Sequence, residues 1–332
     1  MIDTEKTKAL EQALKNIEKN MKITVCRIKD MENNSTTVES IPSGSLMLDY
    51  ALGVKGYPRG RVIEIYGKPS SGKTLLSLLA IAEAQKMGGT AAFVDVEHAF
   101  DSNWAKKLGV DVDNLVFNQP DYGEQALEVV ENLASSNAVD IIVVDSTAAL
   151  IPKAELEGSL EDQNIALQAR MMSKAMRRLI GCVGKSKTVI IFVNQVRQNP
   201  MVMFGNPETT PGGEALKFYS SVRMSVNKVS SSEIKNGTEV LGHKVHVKVV
   251  KNKVGPPLRE ATLTLYFSTG VDSDAEIVDL ALQKNIIEQK GPSYIYKVGE
   301  VEKGKWFGVE KFKDALKQDR VLFDEIKKAC LA

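Results

Sequence analysis

Residues 61–76 read RVIEIYGKPSSGKTLL, and this stretch decides the fold. A β-branched apolar run leads into residues 67–74, which match the pattern G-x-x-x-x-G-K-[S/T], and an apolar stretch of helix length follows. A glycine-rich loop between a strand and a helix presents backbone amides to phosphate groups at a helix N terminus. The expected phosphate-binding residues are Gly67, Lys68, Pro69, Ser70, Ser71, Gly72, Lys73 and Thr74. Among them, Lys73 should reach the β- and γ-phosphates, and Thr74 should bind Mg²⁺.

Three further apolar runs follow the loop and alternate with helix-length segments. The runs are TAAFVDVE (90–97), VDIIVVDS (139–146) and TVIIFVNQ (188–195). Their β-branched, almost continuously apolar composition is typical of parallel strands that are buried on both faces. Amphipathic segments at 74–87 and 123–135 separate them. The pattern predicts an α/β fold, in which a mostly parallel twisted sheet is flanked by helices.

The apolar runs end in polar residues that should meet at one edge of the sheet. Asp145 ends the third core run, where a carboxylate can hold the metal of a phosphate site. Asp95 and Glu97 lie two residues apart in a strand, so they share a face, and either could orient or deprotonate an attacking water. Gln195 ends the last run at the same edge and is placed to detect a γ-phosphate.

Composition excludes several classes of protein. The chain has 332 residues, of which 43% are hydrophobic and 26% are charged, as in ordinary globular proteins. Lys and Arg number 43 against 42 Asp and Glu, which excludes a uniformly basic nucleic-acid coat. Any anionic partner must therefore be bound locally.

The cysteines and the N terminus indicate a cytoplasmic protein. Cys26, Cys182 and Cys330 form neither a disulfide framework nor a CxxC pair. The first residues, MIDTEKTKALEQ, lack the basic and apolar stretches of a signal peptide, and no run of about 18 apolar residues occurs. We expect no membrane partner, and the three histidines do not suggest a metal beyond Mg²⁺.

Changes in composition divide the chain into three parts. An N-terminal helix and linker are expected at 1–36, the main core at 37–270, and a small α+β domain at 271–332. Within the core, alternating runs at 243–253 and 261–267 predict antiparallel strands at the sheet edge. Apolar residues in the first part recur at helical spacing; they are Leu10, Leu14, Ile17 and Met21. This stripe should pack either on the chain's own core or on a neighbouring subunit.

Several longer motifs together resemble the RecA family of bacterial recombinases. They are GKPSSGKT (67–74), FVDVEHAFD (93–101), VDIIVVDSTAALIPKAELEG (139–158), ARMMSKAMRRL (169–179), VNQVR (193–197), FGNPETTPGGEALKFYSSVR (204–223) and VKVVKNKV (247–254). The resemblance covers about residues 10–297. It implies a RecA-type phosphate-loop ATPase core, with an N-terminal segment that oligomerises the chain into a helical filament. It also implies a DNA-dependent ATPase that polymerises on single-stranded DNA with ATP and Mg²⁺, pairs it with homologous double-stranded DNA, and exchanges strands in recombinational repair.

The resemblance assigns roles to residues of the nucleotide site. Glu97 falls on the family's catalytic glutamate, and Gln195 on the residue that couples the γ-phosphate to the following DNA-binding loop. Lys251 and Lys253 match a pair that reaches the neighbouring subunit's nucleotide, like arginine fingers. Trp104 stands where the family usually has a tyrosine that stacks on adenine, and an indole preserves that stacking.

The resemblance also implies two DNA-binding loops, at about 157–169 and 194–213. The implied DNA-binding residues are Ile165, Arg170, Ser173, Arg177, Arg197, Pro200, Phe204, Gly212 and Gly213. Ile165 and Pro200 differ from the residues that the family places between base triplets. The end of the chain differs as well, because residues 311–332 hold six Lys or Arg against four Asp or Glu. We therefore expect the acidic tail of many relatives to be absent.

The resemblance further suggests two protein partners, a LexA-type repressor, whose self-cleavage would be activated, and a single-strand binding protein. Two other functions compete with recombination. A hexameric helicase or other ring motor on the same core would unwind DNA without a need for homology. A non-catalytic ATP-binding scaffold is disfavoured by the presence of Glu97 and of both lysines.

Overall fold

The computed structural model describes residues 4–22, 25, 38–159, 166–198, 208–299 and 301–331. The chain forms two compact units, Met1–Val38 and Glu39–Ala332. The first contains helix α1 (Thr4–Met21), which includes the whole expected apolar stripe from Leu10 to Met21. On this helix Leu10 and Met21 are exposed, while Leu14 and Ile17 are half-buried. Its apolar stripe is therefore incompletely covered within its own unit.

The second unit is built on one large sheet. In the described residues the strands are β1 (Ser40–Ile41), β2 (Tyr57–Pro58), β3 (Val62–Gly67), β4 (Ala91–Asp95), β5 (Val116–Asn118), β6 (Ile141–Asp145), β7 (Val189–Gln195), β8 (Arg197–Gln198), β9 (Glu208–Thr209), β10 (Val222–Asn236), β11 (Glu239–Asn252), β12 (Glu260–Tyr266), β13 (Gly270–Val271), β14 (Ile287–Lys290), β15 (Ser293–Val298) and β16 (Val301–Phe307). Nine of them form a sheet in the order β13-β12-β11-β10-β3-β7-β6-β4-β5. From β10 to β5 the neighbours are parallel, and from β10 to β13 they are antiparallel.

This topology confirms the predicted α/β class and the antiparallel sheet edge. Strand β10 was not predicted. It pairs in parallel with β3 and antiparallel with β11, so it connects the parallel part of the sheet to the antiparallel part. At the start of β10, the buried residues Val222, Met224 and Val226 alternate with partly exposed residues. A polar stretch follows them. That polar continuation hid the strand pattern.

Helices cover both faces of the sheet. Those of the second unit are α2 (Leu46–Leu52), α3 (Lys73–Lys86), α4 (Ser102–Lys107), α5 (Gly123–Ser135), α6 (Lys153–Leu156), α7 (Leu167–Ser186), α8 (Glu214–Tyr219), α9 (Ser273–Gln283), α10 (Val309–Gln318) and α11 (Arg320–Leu331). A short 3₁₀ helix lies at Thr147–Ala149. None of the helices in the described part of the chain has both the length and the apolar character that a bilayer crossing requires.

Strand alternation divides the core residues between the two faces. In β7, Ile191 and Val193 pack with α3, whereas Ile190 and Phe192 pack with α5 and α7. Both faces of the central strands are thus buried, and for this reason their sequences are nearly continuous in apolar residues. The buried strands bring their carboxyl ends to one sheet edge, where the polar residues emerge.

The C-terminal part has its own core. Helices α9, α10 and α11 pack with β14 and β15 around a cluster that includes Ile277, Phe312 and Phe323. Helix α2 joins this cluster to the main core, because Leu46 belongs to the former and Leu48 to the latter. The last described residues form α11 and are not an unstructured tail, since Ile326 is buried.

Candidate nucleotide and DNA sites

The phosphate loop leaves β3 and enters α3, as the sequence predicted. Gly67 contacts the backbone so closely that an added Cβ would lie 2.1 Å from the carbonyl oxygen of Val226. Gly72 has a φ of +94°, which L side chains rarely adopt, so that position also requires glycine. The Ser71 hydroxyl is buried and has no hydrogen-bond partner in the protein. A phosphate group held by the loop would fit the tight backbone turn and could accept a hydrogen bond from the Ser71 hydroxyl.

Lys73 is the first residue of α3 and lies inside the pocket. Its ammonium group donates to the carbonyl oxygen of Lys68 at 2.8 Å, within the same loop. Burial lowers the pKa of Lys73, and the nearby carboxylates of Asp145 and Glu97 oppose that shift. The side chain is therefore held over the loop at the position that a β- or γ-phosphate would share.

Thr74, which follows Lys73 in α3, contacts Asp145 at the end of β6. The Thr74 hydroxyl donates to Oδ2 of Asp145 at 2.6 Å. Burial raises the pKa of Asp145 to about 6, and the charge of Glu97 adds to this effect. A hydroxyl and a carboxylate oxygen are hard ligands of the type that Mg²⁺ prefers. The two side chains fit an ion that also contacts phosphate oxygens.

Asp95 is the last residue of β4, whereas Glu97 lies two residues beyond the end of the strand, so the expected shared strand face is not formed and the two side chains have different surroundings. Asp95 is buried, and its carboxylate accepts hydrogen bonds from the backbone amides of Ala99 and Phe100 and from Gln119. Glu97 is exposed at the open edge. Of the two carboxylates that the sequence left as candidates, Asp95 is committed to holding its own loop. Glu97 is the exposed carboxylate of the two, and it lines the same pocket as Lys73 and Asp145.

Glu97 is held by two neighbouring strands. Its Oε1 accepts a short hydrogen bond from the Ser146 hydroxyl and a second bond from Nε2 of Gln195 at 2.8 Å. Ser146 directly follows Asp145, and the peptide bond between them is cis. The sequence analysis missed Ser146, although its place at the end of a buried strand was visible. The strand ends thus bring Glu97, Asp145 and Gln195 together.

An aromatic wall closes the other end of the pocket. Trp104 lines it, and its indole Nε1 donates to the carbonyl oxygen of Phe267 at 2.7 Å. His243 also lines the pocket, and its ring lies 5.5 Å from that of Phe267 in an edge-to-face arrangement. Neither ring nitrogen of His243 has a protein partner. Burial lowers the pKa of His243, and the charge of Lys228 adds to the shift. The wall offers a surface on which a base can stack.

The side chains of Lys251, in β11, and of Lys253, which follows β11, contact the last turn of α8. The Lys251 ammonium donates to the carbonyl oxygens of Lys217 and Phe218, at 2.7 and 2.9 Å, and Lys253 donates to Phe218 at 3.2 Å. Partial burial lowers the pKa of Lys251, and the charge of Lys253 adds to the shift. Phe218 has a 70% exposed side chain. Both lysines therefore stand beside an exposed aromatic surface.

Of the expected DNA-binding residues, Arg197 lines the same cleft as Glu97 and Gln195, whereas Arg170, Ser173 and Arg177 lie on α7. Arg170 and Arg177 are exposed on α7, and Ser173, between them, is half-buried. Nε of Arg177 donates to the carbonyl oxygen of Ser173 at 3.2 Å. Arg197 is exposed on β8, two residues after Gln195. Three other expected residues lie outside the described residues: Ile165, Pro200 and Phe204.

Gly212 and Gly213 end the second expected loop. Both have positive φ values, +89° and +73°, and Gly212 is buried. A Cβ on Gly213 would lie 2.7 Å from the Cβ of Ala169, at the start of α7. These glycines therefore let the backbone of one expected loop pack against the end of the other.

Glu64 is a further polar residue that the sequence analysis missed. It is fully buried in β3, where its carboxylate accepts hydrogen bonds from Nε of Arg223 at 2.5 Å and from Nδ2 of Asn194 at 2.9 Å. Asn194 also donates to the carbonyl oxygen of Pro211 at 3.1 Å. A glutamate inside the apolar run RVIEIYG was the available signal. The hydrogen bond to Glu64 fixes Asn194, the residue next to Gln195.

A phosphate loop at the end of the first core strand, with a carboxylate and a glutamate on neighbouring strand ends, defines an α/β phosphate-loop ATPase. Comparison with known proteins identifies the family. The family described as RecA N-terminal domain matches residues 8–272. "Protein RecA" from Francisella tularensis subsp. novicida (strain U112) is 54% identical over 327 residues, covering 98% of this chain and 89% of the relative. "Protein RecA" from Francisella tularensis subsp. tularensis (strain SCHU S4 / Schu 4) gives the same values.

The chain belongs to the RecA family. It is accordingly a DNA-dependent ATPase and recombinase that acts in DNA recombination, DNA repair and the SOS response. Its activity depends on ATP, and it binds DNA and forms filaments. The fold and the recombinase assignment expected from the sequence motifs are thus confirmed.

Proposed function

We propose that the chain polymerises on single-stranded DNA with ATP and Mg²⁺, and that homologous double-stranded DNA is then paired with the bound strand. One observation carries this proposal above the others. Glu97 is bonded to Gln195, which stands at the head of the segment that leads into the second expected DNA loop. A single hydrogen bond thus connects the candidate hydrolytic group to the candidate DNA-binding segment.

The phosphate loop binds the triphosphate and Trp104 stacks on adenine. The backbone amides of residues 67–74 surround the phosphates, and Lys73 leaves the carbonyl of Lys68 to contact the β- and γ-phosphates. Thr74 and, through a water, Asp145 would hold Mg²⁺. The ion, when bound, neutralises charge on the phosphate oxygens.

Glu97 orients the attacking water and receives its proton. Its carboxylate is exposed and already accepts bonds from Ser146 and Gln195, which fix its direction. Because Gln195 donates to Glu97, loss of the γ-phosphate changes the position of the chain segment that begins at Gln195. DNA affinity then falls, so ATP turnover serves release more than pairing.

Lys251 and Lys253 act on the nucleotide of a neighbouring subunit. Their ammonium groups sit at the exposed end of α8, beside the exposed side chain of Phe218. An opposing subunit that covers this surface would bring its phosphates to the lysines, as arginine fingers do. The α1 helix, with its incompletely covered stripe, supplies the second contact between subunits. ATP binding therefore favours the filament.

Single-stranded DNA is held mainly through its phosphates. Arg170, Arg177 and Arg197 are exposed cations that can neutralise phosphates without reading sequence. The remaining proposed DNA residues are Ile165, Ser173, Pro200, Phe204, Gly212 and Gly213. Base edges stay free for pairing with a duplex, so complementarity and not side chains selects the partner strand.

The division of the chain, its location and its protein partners are further parts of the proposal. The domains are an oligomerisation segment at 1–36, the ATPase core at 37–270 and a C-terminal domain at 271–332. The cysteine usage supports a cytoplasmic location. The filament would activate self-cleavage of a LexA-type repressor and compete with a single-strand binding protein for DNA. Incubation of filament with purified repressor, with and without ATP, tests the first of these partners.

Strand exchange tests the proposal as a whole. Circular single-stranded DNA is incubated with a homologous linear duplex, ATP and Mg²⁺, and a heterologous duplex serves as the control. Joint molecules should form with the homologous duplex alone. Opening of both duplexes would favour a ring motor and contradict the proposed pairing. An Arg170→Ala, Arg177→Ala double variant should lose joint molecules because it loses phosphate contacts.

A further inference from the structure

Three chain segments meet around the side chain of Gln168, below the open edge of the sheet. The first is the turn that follows β6, with Thr147 and Leu150. The second is the start of α7, where Gln168 itself lies at the end of the first expected loop. The third is Gly212, near the end of the second expected loop.

Gln168 bonds to the other two segments with both ends of its amide. Its Nε2 donates to the carbonyl oxygens of Thr147 and Leu150, each at 3.0 Å. Its Oε1 accepts from the backbone amide of Gly212 at 3.2 Å. A glutamine amide has both donors and an acceptor, so it can make these bonds together. We call the contacts of Gln168 with Thr147, Leu150 and Gly212 the Gln168 clasp.

The backbone of Gly212 and Gly213 is closely packed against the residues around the Gln168 clasp. A Cβ on Gly212 would lie 3.1 Å from Cγ2 of Thr147 and 3.5 Å from Cγ of Met172. The adjacent Gly213 packs against Ala169. A shift of the 212–213 backbone must therefore move the start of α7 or the turn after β6, because protein interiors are closely packed.

The clasp closes a ring of contacts that includes Glu97. On one side, Glu97 accepts from Ser146, the neighbour of Thr147 in the chain. On the other side, Glu97 accepts from Gln195, whose neighbour Asn194 donates to the carbonyl oxygen of Pro211, the neighbour of Gly212. Gln168 is the side chain that joins these two sides at the end remote from Glu97.

We propose that Gln168 is a positioning residue that couples the nucleotide site to both DNA-binding loops, through its bonds to Thr147, Leu150 and Gly212. Movement of Gln195 or Ser146 at Glu97 is passed to the ends of both loops at once, since one side chain holds them together. Without the amide, the packing of Gly212 and Gly213 would remain, but the hydrogen bonds that tie the two loops to the turn after β6 would be lost, so the coupling should weaken. The inference rests on the proposed function, in which these loops bind DNA.

The nucleotide dependence of DNA affinity tests the clasp. Anisotropy of a fluorescent oligothymidylate gives the affinity of the full chain with ADP and with a non-hydrolysable ATP analogue, both with Mg²⁺. For the unaltered chain the analogue should give the tighter binding, and Gln168→Leu should reduce the ratio of the two affinities by about five-fold or more. Gln168→Glu keeps the acceptor for Gly212 but loses the donors to the two carbonyls, so its ratio should fall as well.

Gln85→Leu is the matched control. Gln85 is also half-buried and also bonds to backbone with both ends of its amide, at Asp111, far along the chain from the loops. Its ratio should stay within about two-fold of that of the unaltered chain. Thermal unfolding midpoints confirm that each variant is folded.

Several results would overturn the proposal. An unchanged ratio in folded Gln168→Leu would do so, as would an equal loss of affinity with both nucleotides, which indicates a lost DNA contact and not lost coupling. If Arg170→Ala and Arg177→Ala leave DNA binding intact, or if the unaltered chain shows no nucleotide dependence, the proposed function itself fails. If the DNA affinity of the unaltered chain depends on nucleotide and Gln168→Leu does not change that dependence, only the proposed role of Gln168 is wrong.

Discussion

The nucleotide pocket and the joint between the main core and the C-terminal domain both bury polar groups, but they satisfy them differently. In the pocket, the Ser71 hydroxyl and both nitrogens of His243 have no protein partner. At the joint, Glu276 is 3% exposed and accepts from the Ser45 hydroxyl at 2.6 Å and from the amide of Leu46 at 2.7 Å. Asp49 accepts from the amide of Ser43 there.

The difference separates a binding site from a structural contact. Buried polar groups are almost always hydrogen-bonded, so the unpartnered groups of Ser71 and His243, which line a pocket, fit a site where a ligand or water completes their bonds. The joint carboxylates need no ligand, because Glu276 reaches across from α9 to the first residues of α2. A buried acid is therefore not by itself a sign of catalysis, and its partners have to be known.

The largest expected effect separates Glu97 from Glu276. Glu97→Gln removes the proton acceptor, so DNA-stimulated ATP hydrolysis should fall by about 100-fold or more. Glu276→Gln makes the same chemical change at the joint and should leave turnover of the folded protein within about two-fold. Steady-state phosphate release measures both. Normal turnover in Glu97→Gln would contradict the assigned role.

Stability should respond in the opposite way. Glu276→Ala leaves the Ser45 hydroxyl and the Leu46 amide unpaired and should lower the free energy of unfolding by about 2–3 kcal/mol. Asp145→Asn removes a carboxylate whose ionisation burial disfavours, so the nucleotide-free protein should be unchanged or more stable by up to about 1 kcal/mol. Urea unfolding without nucleotide compares them. Equal destabilisation by both would remove the distinction between pocket and joint.

The pH dependence of stability should also be traceable to the joint. Burial raises the pKa of Glu276 from 4.5 to about 8, so the folded chain holds this proton more tightly than the unfolded chain does. The resulting stability is complete below pH 4.5 and is lost as the pH rises through about 8. Asp49, whose pKa burial raises to about 7, adds to the same loss.

Glu276→Gln isolates the contribution of Glu276. The glutamine variant has no proton to lose, so its deficit in stability relative to the unaltered chain should shrink by about 1–2 kcal/mol between pH 5.5 and 8.5. Urea unfolding at both pH values measures the change. A deficit that does not change between the two pH values would mean that Glu276 is already ionised in the folded chain at pH 5.5.

The smallest expected effect concerns His243. Replacement of His243 by Leu removes two unpartnered ring nitrogens from a buried position, and the nucleotide-free protein should gain about 0.5–1 kcal/mol. His246 lies on the same strand but bonds to Glu260 at 3.0 Å, so His246→Leu should give no such gain. Thermal unfolding without nucleotide compares the two variants. A loss of stability in His243→Leu would mean that the imidazole is satisfied within the protein.

Much of the main fold could be predicted because it depends on local patterns. The runs that became β3, β4, β6 and β7 are buried on both faces, and their composition records that burial. The start of β10 carries an alternating pattern as well, but its identity as a strand depends on pairing with β3, far away in sequence. The helix α11 was also missed, although Phe323, Ile326 and Cys330 recur at helical spacing, so in this case the signal was local and readable.

The candidate site was predictable in part. Phosphate-loop residues are contiguous, and strand-end residues such as Asp145 and Gln195 follow from the run that precedes them. The choice between Asp95 and Glu97 was not available from spacing, because a strand running to residue 97 would place both on one face, whereas β4 ends at Asp95. It required the bonds from Ala99, Phe100 and Gln119 that commit Asp95 to its own loop.

The sequence by itself determined the α/β class, the phosphate loop and the resemblance that led to the RecA family. These follow from contiguous motifs and from periodicities that short stretches of chain contain. Only the tertiary structure decided which buried polar groups have partners, and that Glu97, Ser146 and Gln195 share hydrogen bonds. The same holds for Gln168, which touches segments that are 21 and 44 residues away along the chain. Hydrogen bonds of this kind depend on distances between side chains and backbone in the folded protein, and no local pattern encodes those distances.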